Sequence, residues 1–396
     1  MHAETDVTII GAGPVGGALA CALAAHGKTV LLVDKAPLPP MEHPDFDGRA
    51  YAIAAGSKRL LDLAGLWDIL PYAPCPILDI AVTDGKPGRP PSPLQLHFDH
   101  RSIGDSPFGW IIEARSLRIA INRQLHAQSA LITLRSPAEA QVTRHPDHAQ
   151  IRIGDEIFRS KLVAAADGRN SALRAQAGIP ITKLGYGQSA VVCAIAHATP
   201  HHGVALEHFL PHGPFAQLPM TGNADHPNLS AIVFTDHHAT VARLATLPDA
   251  QFLGEVEKRL GSQLGAVQLV GKRWTYPLSA MYAARYTAPR LALVGDSAHG
   301  VHPIAGQGLN LGLRDALALT ELLEHAPDPG APELLAAYQA ARRPANMLML
   351  AATDTLDRLF STNNPAIRLA RDLGLAAVNR MPRLKRRFML AAMGQR

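Results

Sequence analysis

The chain has 396 residues, of which 47% are hydrophobic and 18% charged. This composition excludes a disordered protein, and the length is greater than one simple core needs. The formal net charge is +5, and no aromatic-studded basic groove accompanies it, so we expect no nucleic-acid partner. The three cysteines have no metal-binding or redox spacing, which is typical of a reduced compartment. No basic segment precedes the first apolar run, so we expect a cytoplasmic protein without a signal peptide.

The N-terminal stretch "DVTIIGAGPVGGALACALAAHGKTVLLVDKA" predicts a strand, a glycine turn, a helix and a second strand. Gly11, Gly13 and Gly16 form G-x-G-x-x-G, in which the glycines allow a tight turn, approach of backbone amides to a pyrophosphate, and close packing of the helix on the sheet. Asp34 ends the second strand, where a carboxylate can bind adenosine ribose hydroxyls. The pattern predicts a dinucleotide site and does not distinguish NAD from FAD.

The middle of the chain predicts a second sheet. Runs such as "SAVVCAIAHA", "VALEHFLP" and "LSAIVFTDH" are typical of strands. Eight of the 19 histidines lie between His197 and His238, but neighbours such as His201 and His202 point to opposite sides of a strand. We therefore interpret these histidines as exposed loop residues and not as a metal cluster.

The stretch "GDSAHGVHPIAGQGLNLGLRDALAL" follows a predicted buried strand and leads into a predicted helix. Asp296 lies at the carboxyl end of that strand, where open α/β sheets bind ligands. The first helical turn, from Gly306 to Asn310, has few bulky side chains. A flat isoalloxazine ring suits this place, because Asp296 can bind ribityl hydroxyls and the positive helix end can stabilise the ring edge that becomes anionic on reduction. The predicted cofactor is FAD.

His299 and His302 in the same stretch have an H-x-x-H spacing that could suggest a metal. No third ligand is placed nearby in sequence, and the loop already serves the predicted flavin site. We therefore predict no metal, and assign the two histidines to packing or to polarity on the substrate side.

The C-terminal residues 331–396 predict helices broken at Pro344, Pro365 and Pro382. From Arg380 to Arg396 there are six basic residues and no acidic one. Two interpretations stay open: a solvated helix face whose apolar side packs on the protein, or a surface that contacts an anionic membrane or a protein partner.

Three motifs resemble those of a known family. "GAGPVG", "KLVAAADGRNSALR" and "GDSAHGVHPIAGQGLNLGLRDA" are similar to the motifs of the single-component FAD aromatic hydroxylases with the para-hydroxybenzoate hydroxylase fold. The tail "ATDTLDRLFSTNNPAIRLARDLGLAAVNRMPRLKRRFMLAAMG" resembles the C-terminal helices of the ubiquinone-biosynthesis hydroxylases within that group. The similarity runs nearly end to end and is weakest at about 75–100 and 190–270.

The resemblance implies an α/β (α+β overall) fold in which a Rossmann-like FAD-binding domain is interleaved with a β-sheet substrate domain and followed by C-terminal helices. We expect the FAD-binding domain at 1–74, 101–180 and 286–330. The substrate-binding sheet is expected at 75–100 and 181–285, and the helical region at 331–396.

The resemblance also implies site residues. Asp34 replaces the glutamate more common in the family, and Ala54 stands where many members have a serine. Arg49 matches an arginine near the pyrophosphate, Arg115 a flavin-contacting position, and Asp167 the first residue of a DG motif associated with FAD and the nicotinamide donor. The implied cofactor-binding set is Gly11, Gly13, Pro14, Val15, Gly16, Asp34, Lys35, Arg49, Arg115, Asp167, Gly168, Gly295, Asp296, Pro303, Gly306, Gly308, Leu309 and Asn310.

Pro303 and His302 are the residues expected on the catalytic side. An apolar pocket of the sheet domain, facing Pro303, is expected to hold the substrate ring. No substrate base is identified from the sequence.

The activity implied by the resemblance is ring hydroxylation of a polyprenylated phenol. NAD(P)H binds transiently and reduces FAD, O₂ adds at flavin C4a, and the hydroperoxide gives one oxygen atom to the ring. Such a phenol partitions into the bilayer, so we expect peripheral contact with the inner membrane face or with biosynthetic-complex proteins through the basic tail. Two alternatives stay open: a hydroxylase of a soluble aromatic in catabolism or secondary metabolism, and a non-catalytic flavoprotein scaffold.

Overall fold

The computed structural model describes residues 3–38, 46–89, 95–302, 306–360, 378 and 381–394. In chain order its strands are β1 (Ala3–Ile10), β2 (Val30–Val33), β3 (Ala50–Ala54), β4 (Cys75–Ile77), β5 (Asp79–Asp84), β6 (Leu96–Asp99), β7 (Gly109–Glu113), β8 (Ile132–Arg135), β9 (Gln141–Arg144), β10 (Ala149–Ile153), β11 (Glu156–Ala165), β12 (Ile181–His197), β13 (Val204–Leu210), β14 (Gly213–Thr221), β15 (Asn228–His237), β16 (Val267–Ala283), β17 (Thr287–Ala288), β18 (Leu291–Leu293) and β19 (His299–Gly300).

The helices of the described residues are α1 (Pro14–Ala25), α2 (Ala55–Leu63), α3 (Ala114–Ala127), α4 (Ala172–Gln176), α5 (His238–Thr246), α6 (Asp249–Leu260), α7 (Gln307–Leu323), α8 (Pro332–Phe360) and α9 (Pro382–Met393). Short 3₁₀ turns lie at His100–Ser102 and Gly295–Ser297. Across the described ranges, none of these helices has both the length and the apolarity needed to cross a membrane.

The first sheet carries the predicted strand–turn–helix–strand unit. Its order is β17-β18-β11-β1-β2-β8, and β10 and β9 extend it beside β11. The pairs β1–β11, β1–β2, β2–β8 and β11–β18 are parallel. Helix α1, whose small and apolar side chains are buried along its length, packs in the same core as α3 and α7. The predicted α/β fold with a Rossmann-like unit is confirmed.

The second sheet has the order β19-β16-β12-β15-β14-β13-β5-β6. Its pairs are antiparallel except β13–β5. Side chains on one face pack on α5 and α6, for example Leu210 with Leu244 and Phe252, and the other face lines a cavity. Strand β19, which lies within the stretch "GDSAHGVHPIAGQGLNLGLRDALAL", joins this sheet through β16. A third sheet has the order β3-β7-β4. The domain bounds given above stay a proposal.

Helix α8 runs for 29 residues with Pro344 in its interior. The helix break predicted at Pro344 is therefore wrong. Proline removes one helical hydrogen bond, but buried Tyr338 and Asn346 hold the helix on both sides of it: the Tyr338 hydroxyl donates to Leu293 O at 2.8 Å, and Asn346 Nδ2 to Asp315 Oδ1 at 2.9 Å. Pro382 begins α9, as a proline at the first helical position can. Pro365 lies outside the described residues.

Candidate active site

The glycine turn between β1 and α1 excludes side chains at two positions and leaves space at a third. A Cβ on Gly11 would overlap the Ala166 carbonyl oxygen, and a Cβ on Gly16 would overlap that of Gly11. At Gly13, the N-cap of α1, no atom of the described residues lies within 4 Å of the Cβ position. The first turn of α1 has no side-chain cap, so its first backbone N–H groups are free to bind a ligand. That arrangement fits a pyrophosphate.

Asp34, at the end of β2, is bonded to the same turn. Its Oδ2 accepts from Ala12 N–H at 2.6 Å and its Oδ1 from Ala36 N–H at 2.8 Å. Each carboxylate oxygen can accept a second hydrogen bond, so the side chain can fix the turn and still bind ribose hydroxyls. The neighbouring Lys35 is exposed.

The two helices that start at the site, α1 and α7, approach closely through glycine. Val15 of α1 packs against Gly295 and Gly312, and a Cβ on Gly312 would lie 2.7 Å from Val15 Cγ2. The sequence analysis did not select Gly312. The signal for it was present, because an isolated glycine inside a predicted helix often has a packing reason.

Asp296 lies in the 3₁₀ turn Gly295–Ser297 after β18, which we call the strand-exit turn. The side chain of Asp296 is 47% exposed. Arg169 Nε lies 3.1 Å from Asp296 Oδ2, and Arg169 Nη1 donates to Ser279 O at 3.1 Å. The strand-exit turn and the loop after β11 are thus joined by an ion pair. Arg169 is a second residue that the sequence analysis missed, although it directly follows the DG motif.

Asp167 of that motif has one oxygen bonded and one without a partner. Oδ2 accepts from Ala172 N–H at 2.9 Å and from Leu173 N–H at 3.4 Å, which caps α4. Oδ1 is buried and has no hydrogen bond within the described residues. Because such atoms are rare in folded proteins, the free oxygen indicates a donor on a bound group, as the predicted cofactor site requires. Gly168 has φ +80° and open space at its Cβ position.

The N-terminus of α7 is held against β3. Gly306 is its N-cap with φ +60°, and the Cβ position of Gly308 has no described atom within 4 Å. The Asn310 side chain donates to Ala52 O and accepts from Ala54 N–H, both at 2.8 Å. Asn310 therefore positions α7 beside β3, and the open side of the helix end is at Gly308. The predicted flavin ring would lie on this open side.

Arg49 and Arg115 both have carboxylate and aromatic partners. Arg49 Nη2 lies 2.6 Å from Asp47 Oδ2, and its guanidinium stacks 4.4 Å above the Trp274 ring. Arg115 is 10% exposed at its side chain and pairs with Glu113 at 2.5 Å. Burial excludes a simple surface charge at Arg115, and the predicted cofactor contacts of both arginines stay proposals.

His302, one of the two residues expected on the catalytic side, is buried between β12 and α8. Its side chain is fully buried, with Nε2 3.2 Å from Gln188 Oε1 and 3.6 Å from Asp357. Burial lowers the pKa of His302 to about 4, so the ring is neutral at neutral pH. His302 is not among the described side chains that line the cavity, and its expected role on the catalytic side stays a proposal. Pro303 lies outside the described residues, and Leu309 packs on the main core.

Asp315 of α7 has no exposed surface and is bonded to the strand-exit turn. Its oxygens accept from Gly295 N–H at 3.2 Å, Arg342 Nε at 2.8 Å and Asn346 Nδ2 at 2.9 Å, and lie 2.5 Å from His299 Nε2. Burial alone would raise the pKa of Asp315, but His299 and Arg342 hold it below its ordinary value. His299 and His302 thus have separate partners.

A cavity of about 670 Å³ lies between the second sheet, the N-terminus of α7 and helices α8 and α9. Its lining includes Ala52, Ala54 and Gly306, beside the proposed ring position, and Leu356 and Leu359 of α8. The lining is almost entirely apolar. Among the described residues that line it, Glu207 on β13 is the one ionisable side chain, and its burial raises the pKa to about 8.

The chain is similar to proteins of known family and structure. Residues 4–353 match the FAD binding domain family. The ubiquinone hydroxylase UbiL of Rhodospirillum rubrum is 48% identical over 395 residues, which cover 98% of this chain and 89% of that protein. The 3-demethoxyubiquinol 3-hydroxylase of Escherichia coli is 34% identical, with 98% of both chains covered. The crystal structure of p-nitrophenol 4-monooxygenase PnpA from Pseudomonas putida DLL-E4 has a TM-score of 0.77 at 19% identity over the whole of both chains, which shows the shared fold.

Proposed function

We propose that this chain, which belongs to the FAD-dependent aromatic hydroxylase family of ubiquinone biosynthesis, adds one oxygen atom from O₂ to the ring of a polyprenylated phenol, with NAD(P)H as electron donor. FAD, when bound, supplies the redox chemistry that activates O₂. The protein's task is to hold the cofactor, place the ring and exclude water.

The residues that would hold FAD lie at the ends of β1, β2, β11 and β18. The glycine turn and Asp34 suit the pyrophosphate and ribose, and the exposed Asp296 suits the ribityl chain. The N-terminus of the 17-residue helix α7 would face the flavin ring, where the positive end of the helix favours negative charge. The buried Asp315 contacts keep the Asp296 turn and α7 in register.

The cavity is the observation that carries the proposal. Its lining includes residues beside the proposed ring position and residues of α8, and its volume of about 670 Å³ is in the range of sites for ligands larger than a bare phenol. An apolar wall suits an isoprenoid chain, since each buried CH₂ contributes about 0.8 kcal/mol. It also keeps water from the reacting ring.

The exposed apolar surface of α8 beside the cavity supports a bilayer-dissolved substrate. Leu348, Leu356 and Leu359 of α8 are 73%, 38% and 40% exposed, and the latter two also line the cavity. A prenyl chain longer than the cavity would leave the protein along this face. Large exposed apolar side chains on one helix are typical of interaction surfaces.

The basic tail supports peripheral contact with an anionic membrane. On α9, Arg383, Arg386 and Arg387 are exposed, while Met389 and Met393 are buried in the core that contains Phe108. The apolar residues of α9 that pack inside are therefore not available to a bilayer. We infer that α9 offers its arginines to lipid headgroups and that the leucines of α8 contact the acyl region.

A series of ortho-substituted phenols carrying no, one, two or three isoprene units tests the proposed function. We expect one hydroxylated product for each NAD(P)H oxidised, and kcat/KM at least about tenfold higher with the first isoprene unit than with phenol, because the unit is buried in the apolar cavity. Leu356→Gln should lower kcat/KM for the prenylated phenols, and Met347→Gln, at an exposed position of the same helix outside the cavity lining, is the matched control. Equal kcat/KM for all chain lengths would favour a soluble aromatic substrate. Absence of NAD(P)H oxidation with every phenol would favour the scaffold.

A further inference from the structure

Glu207, whose side chain is half-buried, lines the cavity. It lies on β13, opposite Val82 of β5 on one side and Ala216 of β14 on the other. All three line the cavity, together with Ala205 and Phe209 of the same strand. The carboxyl is thus surrounded by apolar side chains on its own strand and on both neighbours.

Within the described residues, no cation or hydrogen-bond donor pairs with the Glu207 side chain. Burying a carboxyl without a partner is unfavourable, and the group responds by staying protonated. The pKa of Glu207 is accordingly raised to about 8. An ionisable group with a shifted pKa in an apolar cavity is a candidate for function.

On the basis of the proposed function, we infer that Glu207 binds the free ring hydroxyl of the substrate phenol and accepts its proton during hydroxylation. The phenol O–H bond breaks and an O–H bond forms on the Glu207 carboxylate. The electron pair left on the phenol oxygen raises electron density at the ring carbons ortho and para to it. One of these carbons takes the oxygen atom that FAD, NAD(P)H and O₂ supply. The proton on that carbon leaves as the ring regains aromaticity, and the Glu207 proton returns to solvent when the product departs.

The other polar side chains of the described lining residues are hydroxyls and amides, which offer no base: Thr235, Gln307, Asn310 and Thr353. Thr235 of β15 has a neutral hydroxyl, and both polar atoms of the Asn310 side chain are bonded to the backbone of β3. The ionisable neighbours along the two strands, Asp84 of β5 and His208 of β13, are buried but do not line the cavity. His208 Nδ1 lies 3.1 Å from Arg259 O on α6, on the other face of the sheet.

The proposed role of Glu207 limits the choice of substrate and makes the rate of hydroxylation depend on pH. A methyl ether of the same ring has no proton to give, so the site accepts free phenols and not their ethers. A carboxylic acid with a pKa near 8 is much closer to the phenol pKa of about 10 than an ordinary glutamate is, which favours proton exchange between them. Because the basic form increases as pH rises through the Glu207 pKa, hydroxylation should increase over the same interval.

The test compares wild type, Glu207→Gln, Glu207→Asp and the matched control Glu257→Gln, whose residue is exposed on α6. Each holoenzyme receives 2-geranylphenol or its methyl ether, NADPH and O₂ between about pH 6 and about pH 10. We expect Glu207→Gln to hydroxylate about 10²-fold more slowly, to divert NADPH oxidation to hydrogen peroxide, and to lose the rise near pH 8. Glu207→Asp should keep the rise at a reduced rate, and the methyl ether should give no product with any of the four proteins.

Three results separate the possible failures. If wild type and Glu257→Gln form product and Glu207→Gln matches them in rate and pH profile, the role of Glu207 is overturned and the proposed function stands. If the methyl ether is hydroxylated as fast as the phenol, the proton-transfer step is overturned. If wild type forms no product at any pH, the proposed function fails and this inference fails with it. Flavin absorbance and thermal unfolding, recorded for each variant, identify any loss of fold.

Discussion

Asp315 shows how a single buried charge holds the cofactor side of the molecule together. Its carboxylate has no exposed surface and is bonded to groups from the strand-exit turn and from α8. Breaking a buried ion pair by removing one partner is strongly destabilising, because the remaining charge loses its compensation. The residue does not need to touch the flavin to control where Asp296 and α7 lie.

We predict that Asp315→Asn lowers the free energy of unfolding by about 3–5 kcal/mol, since Arg342 and His299 lose their carboxylate. FAD affinity should fall as well, because the Asp296 turn loses its anchor. Urea unfolding and FAD titration measure the two effects. Asp62→Asn is the control, as Asp62 forms an exposed pair with Lys58, where we expect a change below about 1 kcal/mol. Equal changes in the two variants would contradict the account.

Residues that a sequence motif identifies belong to one local unit of the chain, whereas residues that only the structure identifies are brought together by folding. Gly11, Gly16 and Asp34 belong to the continuous unit β1–turn–α1–β2, so their spacing in the sequence identifies them. Asp315 lies inside a recognised motif, but its partners Arg342 and Asn346 come from another helix. Sequence pattern does not show which side chains of α8 meet α7, and so the network stayed hidden.

The packing of α1 against α7 is the element-level feature that brings the two halves of the FAD site together. Val15 fills the space between Gly295 and Gly312. Because interiors are close-packed, one added methyl group at this contact forces a shift of the helices or of Val15.

We predict that Gly312→Ala weakens FAD binding and lowers the free energy of unfolding by about 1–3 kcal/mol through overpacking against Val15. Val15→Ala in the same chain should restore part of both losses, since it removes the atoms that clash. A double-mutant cycle measured by urea unfolding and FAD titration gives the coupling. Strictly additive effects would show that the Val15 contact is not the cause.

Helix α9 carries the second element-level prediction. Replacing Arg383, Arg386 and Arg387 by glutamine should weaken binding to anionic vesicles about 100-fold at low salt, because each basic residue contributes about 1 kcal/mol at such a surface. Exposed arginines on other elements, Arg152, Arg159 and Arg243, give a matched triple control. Unchanged sedimentation of the α9 variant with anionic vesicles would show that the tail is structural only. Retained FAD absorbance would confirm that both variants are folded.

At the scale of the whole molecule, the cavity exists only because distant parts of the chain meet. Its walls come from β3, the second sheet, α7, α8 and α9, so no local pattern predicted its shape or its contents. The strand "VALEHFLP" shows a glutamate among apolar residues, but both faces of β13 are largely buried. The alternation that normally identifies the inner face was therefore uninformative, and Glu207 was recognised only once the cavity was seen.

The α/β unit at the N-terminus was predictable for the opposite reason. Strand, turn, helix and strand follow one another directly, and their periodicity and glycines are local. The course of α8 was not predictable from the sequence, because the helix continues through Pro344 and is held by tertiary contacts of Tyr338 and Asn346.

The most direct test of the central claim is the fate of molecular oxygen. The purified FAD-loaded protein is given NADPH, ¹⁸O₂ and 2-geranylphenol, and the product is analysed by mass spectrometry. The account predicts a ring-hydroxylated phenol that contains one ¹⁸O atom, with none from water and one NADPH oxidised for each product molecule. Oxygen derived from water, or NADPH oxidation that yields only hydrogen peroxide in the presence of this phenol, would contradict it.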